Sequence, residues 1–198
     1  FGQHLGFTYG APGRHFAQNA LGLLLVVKAL GADVAAAAAA LRGVRAVKGR
    51  GARETIAIAG GSFDLLDESY NANPASVAAA LALLGVSRPG PGGRRIAVLG
   101  DMLELGSEAA AMHAGLAAPV LAASCDLVFA CGPSMSHLWA ELPVSIRGAY
   151  AQSSADFAQM VAADIRPGDV VMVKGSLGSR MALVVDALKA RALEAAAG

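Results

Sequence analysis

Four short polar segments of this sequence follow strand-like runs and hold most of the side chains that suit chemistry. They cover residues 67–74, 100–106, 131–134 and 174–180. Carboxylates, amides, hydroxyls and a lysine at such points can hold the charged and polar groups of a ligand. Because ligands of open α/β sheets bind beyond the carboxyl ends of the strands, we expect the four segments to share one edge of a sheet.

The first segment, Asp-Glu-Ser-Tyr-Asn-Ala-Asn-Pro, is dense in hydrogen-bonding side chains. Asn73 is predicted to cap a helix that has Pro74 in its first position, a common arrangement at helix starts. That structural role leaves Glu68, Tyr70 and Asn71 unexplained, because a plain turn rarely needs so many polar groups. We therefore interpret these three residues as binding residues.

The last segment places Lys174 at the end of an apolar strand, before small residues that open a helix. Free backbone N–H groups and the helix dipole favour an anion there, and the lysine adds a positive charge. A carboxylate or a phosphate would suit this position. A glycine-rich turn with an exposed lysine explains the same residues, and the spacing alone does not decide. The segment is not a P-loop, because the sequence contains no G-x-x-x-x-G-K-[ST].

The second segment contains two acidic residues, Asp101 and Glu104. They have the residue types of a general acid and base pair. They also suit the capping of the helix that is predicted to begin near Ser107. From the residues alone, capping is the favoured interpretation.

The elements that would position these segments alternate between strands and helices in the second part of the chain. Apolar runs predict strands at residues 55–59, 63–67, 95–99, 127–130, 145–147 and 170–173. Helical patterns are predicted at residues 75–84, 107–122, 134–140, 153–163 and 179–197. Strands separated by helices of this length indicate an α/β fold, Rossmann-like, with a mainly parallel sheet and helices on both faces.

The first part of the chain has a different pattern. Residues 1–9 are interpreted as a strand end, and helices are predicted at residues 15–30, which stop at Gly31, and at 33–41 with Asp33 as the N-cap. A glycine-rich and basic stretch follows, and we place a domain boundary near Gly51. The record begins at Phe1 and not at Met, which we interpret as a start inside a longer protein.

Composition excludes several classes of protein. The 198 residues are 55% hydrophobic and 16% charged, with a net charge of +1, which argues against disorder and against nucleic-acid binding. The most apolar stretch, residues 16–27, is too short to span a bilayer. Cys125 and Cys131 have neither redox nor zinc spacing and are interpreted as buried thiols in a reducing cytosol. No metal-binding cluster is visible.

Taken together, the segments resemble the Mur ligase family. The sequence contains, in order, Gly-Arg-His at 13–15, Gly-Arg at 49–50, Ser-Tyr-Asn-Ala-Asn-Pro at 69–74, Gly-Asp-Met-Leu-Glu-Leu-Gly at 100–106 with His113, and Val-Lys-Gly-Ser at 173–176. The two long strings are the specific ones, and they are most similar to the branch that adds D-alanyl-D-alanine to a cell-wall precursor. The resemblance runs over nearly the whole chain.

The resemblance implies a three-domain, cytoplasmic and monomeric ligase of peptidoglycan synthesis. Residues 1–52 would be the end of its central ATP-binding domain, and residues 53–198 its complete C-terminal domain. ATP and Mg2+ would be required, with their main ligands outside this chain. The partners would be UDP-N-acetylmuramoyl-tripeptide and D-alanyl-D-alanine, joined through an acyl phosphate, and the chain alone is expected to be inactive.

The resemblance also assigns roles to individual residues. Lys174 and Asp101 are the expected catalytic residues, and Asn73, Lys174 and Ser176 are expected to bind the dipeptide. The expected nucleotide-binding residues are His15, Asn19, Arg50, Glu68, Tyr70 and Asn71. Two positions depart from the family pattern, because Phe16 stands where an asparagine is frequent and Glu68 where aspartate is usual.

Two alternatives remain open from the sequence. The chain could belong to another member of the superfamily, such as a different Mur ligase or a folylpolyglutamate synthetase, which differs in the incoming amine. It could also be a stand-alone α/β module that binds a small carboxylate at Lys174.

Overall fold

The computed structural model describes residues 4–10, 14–44, 49 and 51–197, without the side chains of residues 14–16, 156 and 193–197. The chain divides into two compact units, Phe1–Val47 and Lys48–Gly198. No helix in the described part of the chain combines the length and the apolar character needed to cross a membrane.

The described part of the first unit contains α1 (Arg14–Ala29) and α2 (Val34–Ala40). The carboxylate of Asp33 accepts hydrogen bonds from the N–H groups of Ala35 and Ala36 in the first turn of α2, at 2.9 and 3.0 Å, so the predicted N-cap is confirmed. Gly31 follows α1 at a φ of 72°, which confirms the predicted stop. Residues 4–9 form no strand, so the predicted strand end is wrong in this described stretch.

The second unit is built on a mixed sheet, and its six strands in the described residues follow the order β1-β2-β6-β3-β4-β5. Only the β1–β2 pair is antiparallel, joined by a two-residue turn in which Gly60 has a φ of 82°. All the other neighbouring strands are parallel. The strands are β1 (Ala52–Ile58), β2 (Gly61–Glu68), β3 (Arg95–Gly100), β4 (Leu127–Cys131), β5 (Arg147–Ala151) and β6 (Val170–Lys174).

Helices cover both faces of this sheet. They are α3 (Pro74–Val86), α4 (Ala109–Ala114), α5 (Ala117–Ala122), α6 (Met135–Glu141), α7 (Ser154–Asp164) and α8 (Ala182–Ala197). Apolar residues of α3, α5 and α6 pack in one core cluster, and those of α7 and α8 pack in the other. The face changes after β5 because the chain there runs back across the sheet, and right-handed crossovers then place the helices on the opposite side.

Strand β6 shows why the central strands read as continuous apolar runs. Val170 and Met172 belong to one core cluster, whereas Val171 and Val173 belong to the other. Successive side chains of a strand point to opposite faces, and both faces here are covered by helices. Every residue of this strand is therefore buried.

The predicted fold class is confirmed, with some elements misplaced. The fifth strand is β5 at 147–151 and not 145–147, because this edge strand is only half-buried and lacks an apolar run. The helix predicted at 107–122 is divided into α4 and α5, with Pro119 in the first turn of α5, where a missing N–H is tolerated. Helix α8 begins at Ala182 and not at 179, because Arg180 has a left-handed backbone.

Candidate functional site

The carboxyl ends of β2, β6, β3 and β4 lie side by side. Glu68 is paired in register with Lys174, Leu99 with Lys174, and Gly100 with Cys131. The four polar segments follow these strands directly. They therefore meet at one edge of the sheet, which is the edge where ligands bind in folds of this class.

Lys174 is the buried cation at the centre of this edge. Lys174 is 2% exposed, and its ammonium group donates a hydrogen bond to the carbonyl oxygen of Asn71 at 2.8 Å. The Glu68 carboxylate oxygen Oε2 lies 3.7 Å from the same nitrogen. A charge this deeply buried requires such partners. The alternative of an exposed lysine in a glycine-rich turn is therefore wrong.

Ser176 joins three of the four segments. Its hydroxyl accepts a hydrogen bond from the Leu103 N–H at 2.9 Å and donates one to the Ala72 carbonyl at 3.3 Å. Its own N–H donates to the carbonyl oxygen of Asp101 at 3.0 Å. Ser176 thus fixes the loop after β6 against the loops after β2 and β3.

Asp101 caps a helix, but not the predicted one. Its carboxylate accepts hydrogen bonds from the N–H groups of Met135 at 2.9 Å and Ser134 at 3.3 Å, at the start of α6. The helix that follows Glu104 has no side-chain cap at Leu105 or Glu108. The capping partner therefore lies 34 residues away along the chain, beyond the reach of a local pattern.

Gly132 lets the Asp101 carboxylate approach the start of α6. It has a φ of 117°, and a Cβ atom at this position would lie 2.4 Å from the carboxyl carbon of Asp101. Any larger residue would have to displace the carboxylate or the loop. Close packing against Asp101 thus explains the glycine directly after β4.

His113 stabilises the loop that contains Asp101. It is fully buried, its Nδ1 lies 2.6 Å from the Ala109 carbonyl, and its Nε2 accepts the Met102 N–H at 3.0 Å. A neutral ring with its proton on Nδ1 satisfies both contacts. His113 therefore holds the residue next to Asp101 in place and does not face solvent.

Asp67 was not predicted as a site residue, yet it organises the first segment. Its carboxylate accepts hydrogen bonds from the Ser69 hydroxyl at 2.6 Å, the Ser69 N–H at 3.1 Å and the Gly49 N–H at 3.0 Å. Tyr70 N–H in turn donates to the Gly49 carbonyl at 3.0 Å. A single buried carboxylate thus attaches Gly49, which precedes β1 by three residues, to the loop after β2.

The remaining predicted residues have different surroundings. Asn73 and Ser76 form a reciprocal capping box at the start of α3, which confirms the predicted cap. The Asn71 side-chain oxygen accepts the Ala72 N–H at 2.8 Å, and Tyr70 is 44% exposed. Whether these residues also bind a nucleotide or a dipeptide stays a prediction.

Three predicted nucleotide-binding residues belong to other parts of the chain. Asn19 lies on an exposed part of α1, in the first compact unit. The backbone of His15 is in α1, but its side chain lies outside the described residues, as does Arg50 entirely. Their predicted roles stay predictions.

An open cleft of about 370 Å3 lies beside the ends of β3, β4 and β5. Its lining contains two charged residues, Asp101 and Arg180, and apolar surface from Leu103, Pro133 and Ala155. Ser153 and Ser154, at the start of α7, complete the part of the wall that carries hydroxyl groups. Neither Arg180 nor Ser154 was predicted as a site residue: Arg180 is the last residue of the fourth polar segment, and Ser154 stands outside all four segments.

The cysteines contribute neither a nucleophile nor a metal site. Both are free and buried, as predicted. Burial, together with the charge of Asp101, raises the pKa of the Cys131 thiol to about 11, and burial raises that of Cys125 to about 12. Both thiols therefore stay protonated near neutral pH, where they are poor nucleophiles. Among the described residues, His, Cys, Asp and Glu form no group of three or more that could hold a metal ion.

A doubly wound sheet with polar loops gathered at its carboxyl edge defines a ligand-binding α/β domain. The family model "Mur ligase, glutamate ligase domain" matches residues 62–177, which is more than half of the chain. The chain belongs to the Mur ligase family.

Curated relatives extend this likeness over most of the chain. The UDP-N-acetylmuramoyl-tripeptide–D-alanyl-D-alanine ligase of Rickettsia prowazekii is 30% identical over 173 residues, which cover 87% of this chain and 37% of that protein. The enzyme of the same name from Mycobacterium tuberculosis is 32% identical over 200 residues, covering 91% and 39%. The chain thus spans about two fifths of the length of the curated relatives it matches.

Solved structures share the fold. The MurF ligase of Thermotoga maritima, crystallised with ADP, has a TM-score of 0.73 at 22% identity, covering 93% of this chain and 40% of that one. A MurF structure from Acinetobacter baumannii gives 0.74 at 24% identity, covering 93% and 39%.

Proposed function

We propose that the full-length protein is an ATP-dependent ligase that adds D-alanyl-D-alanine to UDP-N-acetylmuramoyl-tripeptide, and that the sheet unit of this chain receives the dipeptide. The observation that carries the proposal is the identity of 30–32% with ligases of this name over about nine tenths of the chain. The buried Lys174 at the carboxyl edge of the sheet supports it, because the reaction needs positive charge near developing negative charge.

The proposed reaction forms an amide bond from a carboxylate, which must first be activated. ATP would phosphorylate the terminal carboxylate of the tripeptide, and the amine of D-alanyl-D-alanine would then attack the carbonyl carbon and expel phosphate. Such a reaction depends chiefly on holding the two reactants together and on neutralising charge. Polar loops joined to one another by hydrogen bonds at a sheet edge would suit both tasks.

Within this scheme Lys174 has the central role. Its ammonium group is fixed by the Asn71 carbonyl and by Glu68, so its charge is presented at one defined point. Asp101 would position the start of α6 and the adjoining loop, because both of its oxygens accept backbone N–H groups. Asn73 and Ser176 would line the entry of the dipeptide, and Glu68, Tyr70 and Asn71 the side nearer the nucleotide.

ATP and Mg2+ are proposed to bind chiefly to the remainder of the full-length protein. The chain has no P-loop sequence, and its described residues hold no cluster of metal ligands. His15, Asn19 and Arg50 are proposed to contribute contacts to the nucleotide. We further propose that residues 1–52 belong to the ATP-binding domain, and that the protein works as a cytoplasmic monomer, which sedimentation of the full-length protein would test.

The experiment that tests the proposal is phosphate release by the full-length protein with ATP, Mg2+ and UDP-N-acetylmuramoyl-tripeptide, against a panel of amines. Stimulation by D-alanyl-D-alanine and not by L-alanyl-L-alanine, D-glutamate or diaminopimelate is the expected result. Absence of stimulation by D-alanyl-D-alanine, while another amine stimulates, would contradict it.

A second candidate is a different branch of the family with another incoming amine. The fold is shared with a pseudomurein peptide ligase type C of Methanothermus fervidus, with a TM-score of 0.68 at 16% identity. The same panel of amines separates the two candidates, because they differ in the acceptor and not in the activation step.

A further inference from the structure

The loop at residues 101–103, directly after β3, is held by three different segments of the chain. Its three consecutive backbone N–H groups donate hydrogen bonds to the Cys131 carbonyl at 3.2 Å, to Nε2 of His113 at 3.0 Å and to the Ser176 hydroxyl at 2.9 Å. The first acceptor ends β4 and the third follows β6, so both belong to the carboxyl edge of the sheet. The middle acceptor comes from helix α4, and the centre of the loop therefore depends on a single side chain of that helix.

His113 has one orientation and one tautomer that satisfy its surroundings. Its side chain is fully buried, and Nδ1 lies 2.6 Å from the Ala109 carbonyl oxygen. Because a carbonyl oxygen can only accept, Nδ1 must carry the ring proton, which leaves Nε2 to accept the Met102 N–H. The opposite tautomer would set two acceptors against each other at Nδ1 and two donors against each other at Nε2.

His113 and Asp101 do not form a hydrogen-bonded acid–base pair. Nε2 lies 4.0 Å from Oδ1 of Asp101, which is too far for a hydrogen bond, and that oxygen already accepts the Met135 N–H at 2.9 Å. The histidine side chain also has no exposed surface that a ligand could contact. Any effect of His113 on a reaction must therefore pass through the loop that it holds.

The same loop is joined on its other side to the segment that contains Lys174. The carbonyl oxygen of Asp101 accepts the Ser176 N–H at 3.0 Å, and the N–H of Leu103 donates to the Ser176 hydroxyl at 2.9 Å. Met102 stands between these two groups in the chain, and Ser176 follows Lys174 by two residues. A shift of Met102 away from the histidine would therefore disturb both hydrogen bonds that fix Ser176 to the loop.

We propose that His113 is a positioning residue for the ligation reaction. In its neutral form, with the proton on Nδ1, it fixes Met102 and through it the placement of Ser176 and the adjoining Lys174. The kinetic consequences rest on the proposed function, whereas the tautomer and the link between the two loops do not. A buried N–H requires an acceptor, which gives the histidine its local role, and the two hydrogen bonds of Ser176 extend that role to the reacting edge.

The first experiment compares His113→Gln with His113→Asn in the full-length protein. The amide of glutamine reaches about as far as Nε2 and can accept the Met102 N–H, whereas that of asparagine reaches only about as far as Nδ1. Per folded molecule, His113→Asn is expected to lower kcat/KM for the amine roughly 10- to 100-fold, because a misplacement of about 1 Å can cost about 10²-fold. His113→Gln should lose less than about fivefold, since it keeps the hydrogen bond.

The separate kinetic constants distinguish positioning from a simple loss of folded protein. Unfolding would lower the apparent kcat and leave the KM values for the amine and for ATP unchanged. Positioning should raise the KM for the amine and lower kcat, with little change in the KM for ATP. His137→Asn, at an exposed residue of α6, is the matched control and should behave as the wild type. An unchanged KM for the amine in His113→Asn, or equal losses in the asparagine and glutamine variants, would overturn the proposal.

Two outcomes that concern other steps remain separable from this one. If the full-length protein uses an amine other than D-alanyl-D-alanine, the same variants are compared with that amine, so that failure of the proposed function does not count against His113. If His113→Asn does not fold, His113→Leu takes its place, because leucine fills apolar space and offers no acceptor. Full activity of a folded His113→Leu would contradict the proposal.

The contacts themselves are tested on the full-length protein without turnover. After labelling with 15N-histidine, the ring signal that disappears in His113→Gln should show its proton on Nδ1. Amide hydrogen exchange of residues 100–106 and 174–180 should be faster in His113→Asn than in the wild type, and close to the wild type in His113→Gln. A proton on Nε2, a charged ring, or faster exchange confined to residues 100–106 would overturn the link between the histidine and the Lys174 segment.

Discussion

The two ends of the central strands differ in how their charges are arranged. At the amino ends of β3 and β6, Asp169 is fully buried and accepts hydrogen bonds from the Arg94 N–H at 2.9 Å, the Arg94 side chain at 2.8 and 3.2 Å, and the Arg166 N–H at 2.9 Å. Arg94 also binds Asp164 at 3.0 Å. The Asp169 hydrogen bonds raise the pKa of Arg94 above its ordinary value, so this group stays charged.

At the carboxyl ends the charges face a ligand-accessible edge. Lys174 is buried beside Glu68, and Asp101 caps a neighbouring helix, while Arg180 is exposed in the cleft. At the amino ends, the Asp169 carboxylate has its hydrogen-bond partners within the protein, which suits a structural role. The difference teaches that buried charge alone does not mark a site, whereas charge beside an open cleft does.

The comparison is tested most strongly by removing the central cation. Lys174→Met in the full-length protein is expected to lower kcat/KM for ligation by about 10²–10³-fold, because preorganised positive charge near a developing oxyanion contributes on that order. Steady-state phosphate release measures it. The double variant Glu68→Gln/Lys174→Met should recover stability, since it removes both charges, but not activity. Recovery of activity in the double variant would assign Lys174 a purely structural role.

The corresponding substitution at the amino ends of the central strands is Asp169→Asn. It should lower the free energy of unfolding by about 3 kcal/mol, because it removes the charge of the fully buried Asp169 carboxylate and leaves some of the N–H groups of Arg94 and Arg166 without an acceptor. Urea denaturation measures the loss. Activity per folded molecule should not change. Asp164→Asn is the control, with a loss of about 1 kcal/mol or less expected, because Asp164 is 38% exposed. Equal losses of stability in both variants would show that the buried Asp169 contributes no more than the partly exposed Asp164.

A smaller effect is expected when the approach of Asp101 to α6 is obstructed. Gly132→Ala should destabilise the protein by about 2 kcal/mol, since it combines a positive φ with a clash against the carboxylate. The control is Gly92→Ala, with a φ of 73° and open space around it, where about 1 kcal/mol of backbone strain alone is expected. Thermal unfolding of the two variants would show no difference if the Asp101 contact were unimportant.

The smallest effect concerns Asp64, on the antiparallel edge of the sheet. Burial alone would raise the pKa of Asp64, but hydrogen bonds from Arg53 and Thr55, with the charge of Arg53, outweigh it and lower the pKa. This carboxylate therefore contributes stability above its unfolded pKa of 3.8, and the contribution is lost as the pH falls through the lower folded value. The difference in Tm between the wild type and Asp64→Asn should shrink as the pH falls below 3.8. A constant difference down to pH 2 would contradict it.

Local patterns predicted much of the fold. The fully buried strands β3, β4 and β6 read as apolar runs because both faces of the sheet are covered. The caps at Asp33 and Asn73 were predictable because their partners lie within three residues. Strand β5 was misplaced because a half-buried edge strand carries no such pattern.

Long-range contacts were the part of the site that the sequence could not predict. The Asp101 partner on α6 is 34 residues away, and the Lys174 hydrogen bond to the Asn71 carbonyl joins residues 103 apart. Asp67 stands in the recognised segment, but its bond to Gly49 depends on the hairpin geometry. Ser154 stands outside the four polar segments, and only the fold brings it to the same cleft as Arg180.

The most direct test of the account is ligation by the full-length protein with D-alanyl-D-alanine, comparing Lys174→Met with Asp169→Asn at a temperature where both are folded. The account predicts that Lys174→Met loses about 10²–10³-fold in kcat/KM, whereas Asp169→Asn stays close to the wild type. If Asp169→Asn lost as much activity as Lys174→Met, or if Lys174→Met remained fully active, the carboxyl edge of the sheet would not be the reacting end of this domain.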